Sequence, residues 1–106
     1  MSYTRINPAL TTGSATAAQT DVRTGYCQFS KYGRIVAAAA NFSDATPDNG
    51  GKILEGYPPP ANRVPIAVVC GTAARRVYLS TNGELIWDGA GDAGWANASF
   101  SYLSAT

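Results

Sequence analysis

Arg75-Arg76-Val77-Tyr78-Leu79-Ser80-Thr81-Asn82-Gly83-Glu84-Leu85-Ile86-Trp87 decides the fold. Two short runs of strand-forming residues flank Asn-Gly, the dipeptide preferred in a two-residue type I′ hairpin. With Asn82 and Gly83 as the loop, Thr81 faces Glu84, Ser80 faces Leu85, Leu79 faces Ile86 and Tyr78 faces Trp87. That register puts Val77, Leu79 and Ile86 on a core face and Tyr78, Leu85 and Trp87 on the other. An outer face so apolar calls for cover by another subunit or use as a binding platform.

Strand signals continue on both sides of this hairpin. Downstream, residues 88–94 (DGAGDAG) form a glycine-rich loop. Trp95 to Leu103 then alternates Ala98, Phe100 and Tyr102 against Asn97, Ser99 and Ser101, the period of a half-buried strand. Upstream, Val64 to Cys70 (VPIAVVC) is a continuous apolar run expected to be buried on both faces. Residues 26–31 and 34–42 predict a further hairpin turned at Tyr32-Gly33. Ala37 to Ala40 lies within it as a strand of small side chains that lets another backbone or sheet come close. Residues 43–51 (SDATPDNGG) are a turn segment, and residues 52–54 make at most a short strand. Pro58-Pro59-Pro60 removes three N–H donors and predicts an extended surface crossover rather than a ladder strand. The segment lacks the spaced register and basic anchor of a proline-recognition ligand. Residues 2–20 show neither helical nor strand period, and 1–21 reads as a lead-in or linker before a domain at 22–106. Short strands, close turns and no convincing helix indicate an all-β, antiparallel sandwich.

Composition narrows the function. The 106 residues suit one domain, with 45% hydrophobic and only 14% charged residues, so an uncharged surface buried against copies of itself is expected. Eight Lys and Arg against seven Asp and Glu leave a net charge of +1 with no basic run, which gives nucleic-acid binding no source of affinity. No apolar stretch approaches the roughly 18–20 residues of a membrane span, and residues 1–20 lack the pattern of an export signal, so no membrane insertion is expected. Cys27 and Cys70 sit in apolar stretches that suit buried free thiols as well as a disulfide.

The chain contains no histidine, which removes the commonest general base and metal ligand. Ser14 and Cys70 therefore lack a partner base for nucleophilic catalysis. Glu84, Asp88 and Asp92 are the nearest approach to an acidic cluster, but glycines separate the loop acids and the spacing fails the calcium-loop pattern. No catalytic residue, metal site or cofactor is expected, and the chain reads as a non-enzyme. Asn41-Phe42-Ser43 and Asn97-Ala98-Ser99 match the glycosylation sequon but read as strand-end polar residues. Arg75 and Arg76 point to opposite faces of a strand. What remains is aromatic and acidic: Trp87, Asp88, Asp92 and Trp95, with Tyr78 nearby. Aromatic rings stack on sugar faces while Asp and Asn bind hydroxyls, so these four residues are the candidate ligand site.

Taken in order, Gly25-Tyr26-Cys27, the Leu54-Glu55-Gly56-Tyr57-Pro58-Pro59 crossover, Val77 to Leu85 through Ser80-Thr81-Asn82-Gly83, and the glycine loop ending in Trp95 before Ser99-Phe100-Ser101-Tyr102-Leu103 form a series. It resembles the C-terminal head domains of bacteriophage and prophage tail-fibre, or receptor-binding, proteins over residues 22–103. The crossover here reads LEGYPPP, without the proline usual after Leu54 or the arginine usual before its last proline. The resemblance implies a jelly-roll-like β-sandwich that assembles as a homotrimer at a virion tail tip after synthesis in the bacterial cytoplasm. It also implies attachment to a saccharide or other receptor on the bacterial surface. Two other functions compete: a ligand-free trimerisation or capping domain of a fibre, and a tail-spike glycan hydrolase.

Overall fold

The computed structural model describes residues 10–106. The first nine residues of the expected lead-in lie outside the described residues. Ten strands follow in chain order: β1 (Leu10–Ser14), β2 (Thr16–Ala17), β3 (Val22–Thr24), β4 (Gln28–Tyr32), β5 (Ile35–Asp44), β6 (Lys52–Glu55), β7 (Val64–Cys70), β8 (Ala73–Leu79), β9 (Leu85–Trp87) and β10 (Trp95–Leu103). Every pairing is antiparallel, in the order β1-β4-β5-β10-β7-β8-β9-β6-β2, with β3 on β5. The chain is therefore the all-β antiparallel sandwich read from its sequence.

The closure of this sheet comes from residues that read as lead-in. β1 and β2 are separated by Ala15 alone, yet β1 pairs with β4 at one end of the strand order and β2 pairs with β6 at the other. Buried Ala15 donates its N–H to the Cys27 carbonyl at 2.8 Å, and Ala18 donates to the Ile53 carbonyl at 3.0 Å. One segment thus stitches both edges and nearly closes the sheet. Within the 1–21 segment, residues 10–14 and 16–17 are strand rather than linker. β1 has no buried side chain, so it carries no period for the sequence to display.

The central hairpin forms, but its register differs from the expected one by a residue. Val77 faces Trp87, Tyr78 faces Ile86 and Leu79 faces Leu85. Gly83 donates to the Ser80 carbonyl and Ser80 to the Glu84 carbonyl, each at 2.9 Å, and only Gly83, at φ 80°, has left-handed backbone in the turn. A type I′ turn needs positive φ at both central residues. Here the loop is instead a type I turn continued by a glycine bulge, which adds one residue. The slip turns every side chain of one strand over. Leu85 and Trp87 therefore join Val77 and Leu79 in the core, and Ile86 lies beside Tyr78.

Phe42 meets Trp87 edge-on at 5.7 Å, and Tyr57 meets Phe100 edge-on at 5.5 Å, giving the core two aromatic pairs. In β6 both Ile53 and Leu54 are buried because a register shift between Lys52 and Leu54 breaks the alternation. β7 alternates, in place of the burial on both faces read from VPIAVVC: Ile66, Val68 and Cys70 point in, while Pro65, Ala67 and Val69 point out. The outward residues of β7 lie beside Tyr78 and Arg76 of β8, an open face on which small apolar residues need no covering layer. The proline crossover is extended and docked on the sandwich. Tyr57 Oη donates to the Ala39 carbonyl at 2.8 Å, Tyr102 Oη donates to the Pro58 carbonyl at 2.7 Å, and Pro60 bridges Ser104. Cys27 and Cys70 are both buried free thiols.

Candidate functional site

The outer face of β1, β4, β5 and β10 carries no charged side chain. At one end Leu10 faces Tyr32, Tyr32 faces Ile35 and Ile35 faces Leu103, so four large apolar residues stand in a single row across four strands. They are 66%, 48%, 61% and 58% exposed. Thr12, Ser30, Ala37 and Ser101 make the next row.

The opposite end of the sandwich holds the residues expected to bind a ligand, and the structure separates them. Trp87 is 1% exposed, and its Nε1 donates to Asp44 Oδ2 at 2.8 Å in the core. Its ring is packing, a correction that follows directly from the one-residue register slip. Asp88 lines a depression of 220 Å³ with Pro65, Ile66, Ala67, Arg76 and Val77, apart from the other expected residues. Its backbone N–H donates to the Arg76 carbonyl at 3.0 Å.

Asp92 and Trp95 do come together. They line a depression of 690 Å³ with the β7–β8 turn, from Cys70 to Ala73, and with Ala93 and Gly94. Trp95 is 49% exposed and opens β10. Arg75 donates to both Asp92 oxygens, from Nε at 2.9 Å and Nη2 at 3.2 Å, so the glycine-rich loop is fastened to β8. The carboxylate in turn raises the Arg75 pKa and keeps the guanidinium fully charged. Burial pushes the Cys70 thiol above its ordinary value and the Asp92 charge adds to the shift, so Cys70 is an inert wall of the depression. Glu84, the third acid of the expected cluster, pairs with Lys52 at 3.0 Å.

A second depression, of 500 Å³, lies on the outer face beside the first and was missed in the sequence. Asn41, Asn97 and Val69 form one row across β5, β10 and β7, and Tyr26, 61% exposed, lines the same depression. Asn41 Nδ2 donates to Asn97 Oδ1 at 2.6 Å. The two asparagines are those of the two sequon matches, and their shared surface depends on a pairing 56 residues apart in the chain.

No protein-family profile and no curated protein matches the chain. Among solved structures, the fold is similar to the crystal structure of the receptor binding protein (gp15) of Listeria phage PSA, with a TM-score of 0.70 over 93% of this chain and 67% of that one. At 13% sequence identity this likeness establishes a shared fold.

Proposed function

We propose that the chain is the receptor-binding head domain of a phage tail fibre, carried at the virion tail tip and attaching it to a saccharide or other receptor on the bacterial surface. The observation that carries this reading is the likeness of nearly the whole sandwich to a phage receptor binding protein. An aromatic-walled depression at the tip of that fold supports it: Trp95 offers a stacking face, and Thr72 and Asp92 offer polar groups beside it. The role is binding without catalysis. Asp88 and Asp92 line different depressions and Asp92 is paired with Arg75, an arrangement that does not suit the two opposed carboxylates of glycoside hydrolysis.

The domain acts as a homotrimer, with the end of this outer face that carries Leu10, Tyr32, Ile35 and Leu103 against a second copy and the Asn41–Asn97 end left open. The row of Leu10, Tyr32, Ile35 and Leu103, with Thr12, Ser30, Ala37 and Ser101 beside it, spans four strands about 4.8 Å apart and forms the apolar centre of that contact. The Leu10, Tyr32, Ile35 and Leu103 row equally suits a ligand-free trimerisation or capping domain, so attachment itself is the deciding measurement. Fluorescently labelled chain is expected to adhere to cells of some strains in a bacterial panel and not to others. Trp95→Ala is expected to weaken adherence about 30-fold, the effect of a central aromatic anchor, while the fold persists. Adherence to no strain would leave the capping reading, and release of reducing sugar from the cells would favour a hydrolase.

A further inference from the structure

We propose that the groove between Tyr26 and Val69, floored by Asn41, Asn97 and Ser99, is a binding subsite for a neutral pyranose, distinct from the Asp92–Trp95 depression. The inference rests on the reading of this chain as a saccharide-binding head and gives that head a second contact.

The groove is held in place by Asn41. Its backbone carbonyl accepts both the Gly25 N–H at 2.7 Å and the Cys27 thiol at 3.2 Å, so the residues on either side of Tyr26 are fastened to β5. A Cβ at Gly25 would fall inside contact distance of Asn41 Oδ1, so a larger residue there would displace the Asn41 amide. With its oxygen lodged against Gly25, the Asn41 amide sends Nδ2 to the Ala96 carbonyl at 3.3 Å and to Asn97 Oδ1 at 2.6 Å. Asn97 Oδ1 therefore accepts a bond from within the protein. Asn97 lines the groove, and its Nδ2 has no partner among the described residues, so it is available as a donor.

These groups match one chemistry. An exposed phenol ring on a fastened stretch of backbone suits the C–H face of a sugar ring, and an oriented amide N–H with the Ser99 hydroxyl suits its hydroxyl groups. No charged side chain lines the 500 Å³ volume, so it favours a neutral sugar over a uronic acid, a sialic acid or a phosphate. Trp95 is two residues before Asn97 on the same side of β10, about 7 Å away along the strand. An oligosaccharide bound over Asn97 therefore continues onto the Trp95 ring.

The test uses the full chain, isotopically labelled, titrated by NMR to tens of millimolar with methyl glycosides of glucose, galactose, rhamnose and N-acetylglucosamine. At least one is expected to move the side-chain amide signals of Asn41 and Asn97. Tyr26→Ala is expected to weaken that glycoside at least about tenfold. Asn97→Asp keeps the acceptor for Asn41 but removes the free donor, and is expected to weaken it similarly with the fold intact. Trp95→Ala is expected to leave the monosaccharide shifts in place. If no glycoside moves these signals, or if Tyr26→Ala binds as tightly as the parent, the subsite is refuted. Adherence to cells reports separately: loss of all adherence with the shifts retained refutes the receptor-binding reading alone, and undiminished adherence by Tyr26→Ala without glycoside shifts refutes the subsite alone.

Discussion

Trp87 Nε1 donates to Asp44 Oδ2 at 2.8 Å, joining β9 to the last residue of β5 across the core. Both residues are almost wholly buried, and Asp44 Oδ1 also accepts the Thr46 N–H at 3.0 Å. Removing the carboxylate strands a buried indole donor and frees the start of the following turn. Asp44→Ala is expected to cost about 1–3 kcal/mol in urea unfolding, the penalty for an unsatisfied buried polar group. A change within error would mean that water replaces the carboxylate and that this contact does not fasten the two strands.

The bulged turn makes a sharper distinction between neighbouring residues. A side chain at Gly83 meets both the left-handed backbone at φ 80° and the Tyr57 carbonyl oxygen, which leaves no room for a Cβ. Gly83→Ala is expected to destabilise by about 2 kcal/mol or more, because strain and a backbone clash add. Asn82 has ordinary negative φ and is exposed, so Asn82→Ala is expected to stay within about 0.5 kcal/mol. Equal and large losses at both positions would restore the type I′ turn and with it the opposite facing of Leu85 and Trp87.

That turn marks where the sequence stopped being legible. Asn-Gly between two apolar runs is common to the two-residue hairpin and the bulged one, and the bulged loop here packs on the Tyr57 backbone, a distant partner that no local pattern shows. One residue of loop length moved Trp87 from a candidate ligand platform to the centre of the core. β10 was legible to its ends, because one of its faces is buried along nearly its whole length. β1 was not, because its side chains contribute little to the core and its strand character comes from backbone pairing alone. The same limit hid the Asn41–Asn97 pair: each asparagine is ordinary in its own strand, and only the β5–β10 register joins them.

Two buried phenols set the response to alkali. Burial raises the pKa of both Tyr57 and Tyr102 well above that of a free tyrosine, and the hydrogen bonds their hydroxyls donate to Ala39 and Pro58 require the protonated form. In the unfolded chain both ionise near pH 10, whereas the folded chain keeps its protons. The folded state then holds more protons than the unfolded one, so stability falls as pH rises past about 10 and is unaffected by these groups below it. Denaturation midpoints are expected to decline from that point. The decline is expected to be shallower in Tyr57→Phe and Tyr102→Phe, which have nothing to ionise. An identical alkaline slope in the double variant would place the titration elsewhere.

The exposed row of Leu10, Tyr32, Ile35 and Leu103 sets the last expectation, because its members are neighbours in register while the inward Val36 and Tyr102 beside them are already buried. Burying such side chains fully is worth about 1.5–3 kcal/mol each, and each copy brings four to the contact. The strands carrying the row present no charged side chain on this face, and Arg34 in the adjoining turn donates to the Ser104 carbonyl at 2.9 Å, so association meets little desolvation cost. The parent chain is expected to sediment as a trimer at micromolar concentration. In Ile35→Lys, Leu103→Lys two ammonium groups stand on adjacent strands directly opposite one another, repelling each other and requiring burial in the trimer, while each remains solvated in the monomer. The double variant is expected to sediment as a monomer with an unchanged strand signal in circular dichroism, since both positions are outside the core. A parent chain that is monomeric would remove the trimer altogether, and a dimer would keep this face while refuting threefold assembly. If the variant stays trimeric, the copies meet elsewhere, and the outward side of β7 and β8, with Val69 and Tyr78, becomes the contact to vary next.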